Sequence, residues 1–244
     1  AKRMENYIKG VLQYCQKNYP GVVYCFDVVN ECVDDGTGDD SVNWNCRTTF
    51  NGGDNFWYAT MGTDYVEKAF TYARKYAAKD VKLIYNDYNV YMPAKEESIY
   101  NLVKGLKKKK LIDGIGLQPT VDLNMPNELK GDSYGSFENC LKKYAELDLD
   151  IQITELSFQI DEENGKRNEK TLKRQADRYQ EMFELLKKMD TASGGPCNIT
   201  SVTMFGICDD YPLYDDLVQC LYLWDKNAKP KESFYRVREV GESK

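Results

Sequence analysis

The chain has 244 residues, 42% of them hydrophobic and 30% charged, with a formal net charge of −6, which suits one globular domain. No run of 18 apolar residues occurs, so a membrane-spanning helix is excluded, and the basic residues are dispersed apart from the four lysines at 107–110. That run closes an amphipathic segment, where cations suit a helix C-terminus, so neither a nucleic-acid partner nor a membrane is implied.

There is no histidine. Triads and general bases built on imidazole are therefore excluded, as are most zinc sites. Proton transfer near neutral pH must rest on carboxylates, Lys, Tyr or Cys. The first residues lack the apolar core of a signal peptide.

In chain order, residues 3–18 place Met4, Ile8, Val11, Leu12 and Cys15 on one helical face, and Pro20-Gly21 stops the helix. Residues 22–30 form an apolar run that suits a strand buried on both faces. Residues 32–56 are polar, rich in Gly, Asp and Asn, and aperiodic, which predicts a long loop. A helix over about 63–78 turns Val66, Ala69, Phe70, Ala73 and Ala77 inward. A strand over 81–85 runs into Asn86-Asp87-Tyr88-Asn89. A helix over about 94–109 turns in Ile99, Leu102, Val103 and Leu106.

A strand over 112–117 then runs into Gln118-Pro119-Thr120. A helix over about 134–147 uses Phe137, Cys140, Leu141 and Tyr144. A strand over 149–154 ends at Glu155. A long helix over about 168–189 uses Leu172, Ala176, Tyr179, Phe183 and Leu186. A strand over 199–205 and a short helix over about 232–239 close the chain.

The eight cysteines contain no C-x-x-C, which speaks against a metal ribbon or redox motif. Cys15, Cys25 and Cys140 read as core residues. A bridge between Cys32 and Cys46, which bracket a loop, is open, as is one among Cys197, Cys208 and Cys220. Asn198-Ile199-Thr200 is a glycosylation sequon by pattern. Cys32, beside Glu31, has no histidine to activate it as a nucleophile.

Alternating strands and helices predict an α/β fold with a parallel sheet. The loops after strands are rich in Asn, Asp, Glu, Gln and Tyr, while those after helices are short. That asymmetry is typical of a (β/α)8 TIM barrel, whose site is built at the strand C-termini. Two strands end in a carboxylate, Glu31 and Glu155. Hydrolysis of a glycosidic bond needs two: one acid to protonate the leaving oxygen, and one carboxylate to attack the anomeric carbon or activate water. Amides and tyrosines nearby would grip sugar hydroxyls, and some of the 19 tyrosines would stack on sugar rings.

These residues resemble glycoside hydrolase family 10, the retaining endo-β-1,4-xylanases. Phe26-Asp27-Val28-Val29-Asn30-Glu31 is similar to the family's W-D-V-V-N-E. Gly62 to Phe70 is similar to its G-x-D-Y-I-x-x-A-F. Asn86-Asp87-Tyr88-Asn89 matches N-D-Y-N, Ile112 to Gln118 matches I-D-G-I-G-x-Q, and Ile153-Thr154-Glu155-Leu156 matches I-T-E-L. The motifs stand in the family's order. The resemblance implies Glu31 as general acid/base, Glu155 as nucleophile, and Asn30 on the 2-hydroxyl of the sugar at the cleavage site. Gln118 would contact that sugar or the nucleophile. Asn86, Tyr88, Thr120, Phe205 and Tyr214 complete the expected substrate-binding set, although a tyrosine such as Tyr88 more often packs than contacts a ligand, and Asp87 could equally cap a helix or loop.

Four positions depart from the family pattern. Thr120 stands where Gln-x-His is usual, Phe205-Gly206 replaces Trp-Gly, a downstream Trp is replaced around Leu213-Tyr214, and Phe26 replaces the opening Trp. The resemblance also places the five strands as the fourth to eighth βα units, where a closed barrel needs eight. It therefore leads us to expect a catalytic domain over 1–244 lacking the first three units, and a complementary N-terminal barrel fragment as partner. The substrate implied is xylan or xylo-oligosaccharides. Alternatives are a β-1,4-glucanase or mixed-linkage glucanase, or a catalytically inactive glycan-binding fragment. No cofactor or metal is implied. Secretion is expected, because the polymer is met outside cells.

Overall fold

The computed structural model describes residues 1–124, 135–160, 167–209 and 220–243, and among them strands alternate with helices as the periodicity predicts. The chain divides into two units. One comprises Ala1–Leu117 with Leu149–Ile151, the other Gln118–Asp148 with Gln152–Lys244.

The first unit opens with α1 (Lys2–Asn18) and β1 (Cys25–Asn30). The i, i+4 row of α1 faces inward: Met4 and Leu12 are buried and Ile8 half-buried. Val11 lies off that row and is exposed, contrary to the expected face. β1 was expected to be buried on both faces. Instead it is half-buried, with Asp27 and Asn30 exposed. Its described pairing is one-sided: it runs parallel to β4 (Lys82–Tyr88) alone. β4, with β1 on one side and β5 (Gly114–Gln118) on the other, has the continuous buried run proper to a central parallel strand.

The segment read as a loop has more order than its composition suggests. Val33 and Asp39 each bridge to Cys46, and β2 (Thr49–Phe50) pairs antiparallel with β3 (Gly53–Asp54). Asn55 then caps α2 (Phe56–Met61) by accepting from the Trp57 and Tyr58 amides at 3.1 and 3.2 Å. These features are too short to carry a period. α3 (Asp64–Tyr76) buries Val66, Ala69, Phe70 and Ala73 as predicted, with Tyr65 added. Ala77 caps its end half-buried. α4 (Pro93–Lys108) starts on a proline at its first turn and buries the four predicted apolar residues. It also buries Lys95 and Glu96, which no amphipathic pattern anticipates.

The second unit holds β6 (Thr120–Asp122), α5 (Phe137–Ala145), most of β7 (Asp150–Gln159), α6 (Glu169–Met189), β8 (Asn198–Met204) and α7 (Glu232–Glu242). β7 pairs with β6 and β8, and with β6 it is parallel, Thr120 standing opposite Ser157. It runs past Glu155 to Gln159, so Glu155 sits within a strand rather than at its end. α6 starts in a capping box between Asn168 and Thr171. Its inward face is rotated from the prediction. Met182 and Leu185 are buried, while Leu172 and Phe183 are half-buried.

All eight cysteines are free thiols, so neither open pairing is made, and Cys15 and Cys25 are half-buried rather than core.

Candidate active site

The predicted residues of the first unit gather where β1 ends. Between Asp27 and Val29 the register with β4 shifts by one residue, leaving Val28 extra. Such a bulge re-aims the residues after it. Asn30 pairs with Asn86 across the strands, and the Asn86 side chain donates to Asn30 Oδ1 at 2.9 Å. The Glu31 N–H donates to the Asn86 carbonyl at 2.8 Å. Glu31 is half-buried and holds φ at +55°. A glutamate in the left-handed region costs on the order of 1 kcal/mol or more and persists only where its surroundings over-determine it.

Cys32 and Val33, next in the chain, are buried. The Val33 N–H lies 3.2 Å from the Tyr85 hydroxyl and 3.4 Å from Asp87 Oδ2, and the Tyr85 hydroxyl donates to that same oxygen. Burial raises the Asp87 pKa, and the Lys95 ammonium 3.0 Å away opposes that shift. Burial pushes the Cys32 thiol well above its usual range, so it stays protonated and is no nucleophile. The Tyr88 hydroxyl donates to Asp35 at 2.8 Å and accepts from Arg47 at 2.5 Å. Lys95 sits 3.4 Å above the Tyr88 ring. Tyr88 therefore belongs to a polar network that also holds this loop.

In the second unit Glu155 is half-buried. The buried Gln118 donates from Nε2 to Glu155 Oε1 at 2.9 Å, which orients the carboxylate. Thr120, where the family usually has histidine, donates its hydroxyl to the Glu155 backbone carbonyl at 2.9 Å. It holds the strand at the point where the glutamate projects. Phe205 comes after β8 and is half-buried, its N–H on the Leu156 carbonyl at 3.0 Å. Gly206, at φ +88°, leaves no room for a Cβ, which would lie 2.1 Å from the Tyr222 ring. Tyr214 lies outside the described residues. Among those described, no group of three His, Cys, Asp or Glu side chains is placed to hold a metal.

Sequence reasoning missed Tyr85, Lys95 and Arg47. Tyr85 reads as an ordinary strand residue, and Lys95 and Arg47 as solvated charges. Tyr85 stands on β4, Lys95 in α4 and Arg47 in the loop after β1, and only their tertiary packing brings them together.

Comparison with known proteins agrees with these features. The family model for glycosyl hydrolase family 10 matches residues 1–240. A protein of Caldicellulosiruptor saccharolyticus, named provisionally as an endo-1,4-beta-xylanase, is 58% identical over 241 residues, covering 98% of this chain and 73% of its own. Endo-1,4-beta-xylanase B of Butyrivibrio fibrisolvens is 39% identical over 209 residues, covering 85% of this chain and 29% of its own.

Among solved structures, the CBM22-1 and GH10 modules of a Clostridium thermocellum endo-1,4-beta-D-xylanase, complexed with xylohexaose, align with a TM-score of 0.82 at 31% identity. That match covers 98% of this chain and 46% of the other. A mutant of the intracellular xylanase of Thermoanaerobacterium saccharolyticum, in complex with xylotetraose, aligns with a TM-score of 0.78 at 29% identity, covering 97% and 64%. This chain thus spans part of the length of each of these four proteins. The motifs, their places on the strands and the similarity over nearly the whole chain agree: it belongs to glycosyl hydrolase family 10, whose fold class is the (β/α)8 barrel.

Proposed function

We propose that this protein is a retaining endo-1,4-β-xylanase. The observation that carries the reading is the family match over residues 1–240 with both motif glutamates kept in strand context. In the first step Glu155 attacks the anomeric carbon as Glu31 protonates the departing glycosidic oxygen. In the second, Glu31 takes a proton from water, which displaces Glu155 from the glycosyl-enzyme. Gln118 orients the nucleophile. Asn30, held by Asn86, is placed for a sugar hydroxyl, and Phe205 and Tyr214 supply ring faces.

The relatives' names favour xylan over a β-glucan, and give no support to an inactive glycan-binding fragment. We assign β1, β4, β5, β7 and β8 to the fourth to eighth units of the barrel, which the order of the motifs supports. A separate N-terminal fragment as partner finds no support in the comparisons. Secretion is part of the proposal, since xylan is met outside cells. Activity confined to the cell fraction of a producing culture would count against it.

The test is reducing-sugar release from xylan and from carboxymethyl-cellulose by the parent and by Glu155→Ala. Release from xylan should fall in the variant by about 10⁴-fold or more, the scale at which loss of a catalytic unit is felt. Equal release by both proteins would remove Glu155 from the mechanism.

A further inference from the structure

Glu31 cannot hold its left-handed backbone unaided, and three consecutive residues of β4 hold it. The Asn86 carbonyl takes the Glu31 N–H at 2.8 Å. Two residues on, the Val33 N–H meets the Tyr85 hydroxyl at 3.2 Å and Asp87 Oδ2 at 3.4 Å. The short stretch from Glu31 to Val33 is thus pinned at both ends. The second pin goes with Asp87 as an anion: Oδ2 takes the Tyr85 hydroxyl and the Val33 amide, while Oδ1 takes the Tyr88 N–H at 2.9 Å and Lys95 at 3.0 Å, which leaves no lone pair for a proton.

Asp87 is fully buried. A carboxylate removed from water stays charged only if it is paired. Its partner is Lys95, 3.0 Å away and 2% exposed. Lys95 also meets Asp35 at 3.1 Å, and its ammonium lies over the Tyr88 ring. A buried lysine in the first turn of a helix does nothing for that helix that a solvated one would not do.

We propose that Lys95, acting through Asp87 and Tyr85, is a positioning residue that holds Glu31 in the geometry of proton transfer. This rests on the reading of Glu31 as acid/base. Lys95 keeps Asp87 ionised, Asp87 fixes the Tyr85 hydroxyl and the Val33 amide, and that anchor fixes the torsion at Glu31. The nucleophile's partners, Gln118 and Thr120, belong to a separate set of contacts. The defect on losing Lys95 therefore falls on proton transfer.

The experiment compares the parent with Lys95→Met, Tyr85→Phe and Glu31→Ala, full chain, each checked for folding by circular dichroism and thermal melting. The substrates are xylan and an aryl β-xylobioside with a dinitrophenolate leaving group, which departs without a proton. On xylan we expect kcat of Lys95→Met to fall about tenfold or more, within the range that general acid–base catalysis supplies, with KM within about twofold. On the activated aryl substrate the initial burst of phenolate should persist while turnover slows. Azide, a nucleophile that needs no general base, should restore turnover.

Tyr85→Phe should show the same signature more weakly, and it decides the matter should Lys95→Met fail to fold. Lys95→Met should add little in a Glu31→Ala background. Equal losses on both substrates without azide rescue, in both variants, would overturn the proposal while Glu31→Ala still showed the signature. Absence of the signature in Glu31→Ala itself would overturn the acid/base reading, and this inference with it.

Discussion

Gly114 shows how little space the strands leave beneath the candidate site. It begins β5, and a Cβ there would lie 2.7 Å from Ile84 Cδ1 and 2.8 Å from the Asp150 carbonyl. The isoleucine tip can rotate away, but the carbonyl is backbone and cannot. Gly114→Ala should therefore destabilise the protein by about 1–3 kcal/mol, the usual cost of overpacking, seen as a lower denaturant midpoint. Gly105 in α4 has nothing within 4 Å of such a Cβ. Gly105→Ala should instead raise the midpoint, by roughly the 1 kcal/mol that separates the two residues in a helix. Two alanines moving the midpoint the same way would refute the contrast. Neither effect is visible from sequence alone, where both glycines simply interrupt apolar patterns.

Among the elements, α1 and α3 are joined by polar contacts as well as by the Met4 and Leu12 stripe. Glu5 on α1 accepts from Lys75 and from the Tyr76 hydroxyl, each at 2.8 Å. Those hydrogen bonds, Lys75 first, lower the Glu5 pKa from its ordinary value of 4.5. A carboxyl lowered on folding adds stability that is fully present above the ordinary value and is lost as pH falls through the folded one. Glu5→Gln should therefore melt below the parent at neutral pH, and the gap should close in acid. A gap that stayed constant with pH would show that the charge is not what matters. Elements like these were largely legible in advance, because α3 and α4 carry clean apolar periods and β4 an unbroken buried run. The misjudged faces have local causes: β1 has a described neighbour on one side only, and Val11 stands off the packed row of α1.

For the molecule as a whole, the succession of strands and helices and the motifs that contain Glu31 and Glu155 could be read before any coordinates, because each is a local pattern. The support around them could not. Lys95 has the sequence context of a solvated helix start, Arg47 that of a loop, and Tyr85 that of plain strand packing. Their meeting depends on segments up to about fifty residues apart coming together. The free thiols make the same point. Cysteine spacing left two pairings open, and only the coordinates show Cys32, Cys46, Cys197 and Cys220 buried as thiols. Chemistry written in adjacent residues survives translation from sequence; chemistry assembled from distant ones does not.

The extra residue at Val28 sets a condition of shape. An unpaired residue bends its strand and sharpens the local twist, so a one-residue deletion there closes the ladder into a straighter run. Replacing Val28 by another small apolar residue keeps the count. Removing it keeps almost all of the composition and leaves Asn30 opposite Asn86, yet the bend that precedes Glu31 is lost. What this strand cannot surrender is its length, and a comparison scored on residue identity alone would rank that loss among the mildest changes it could suffer.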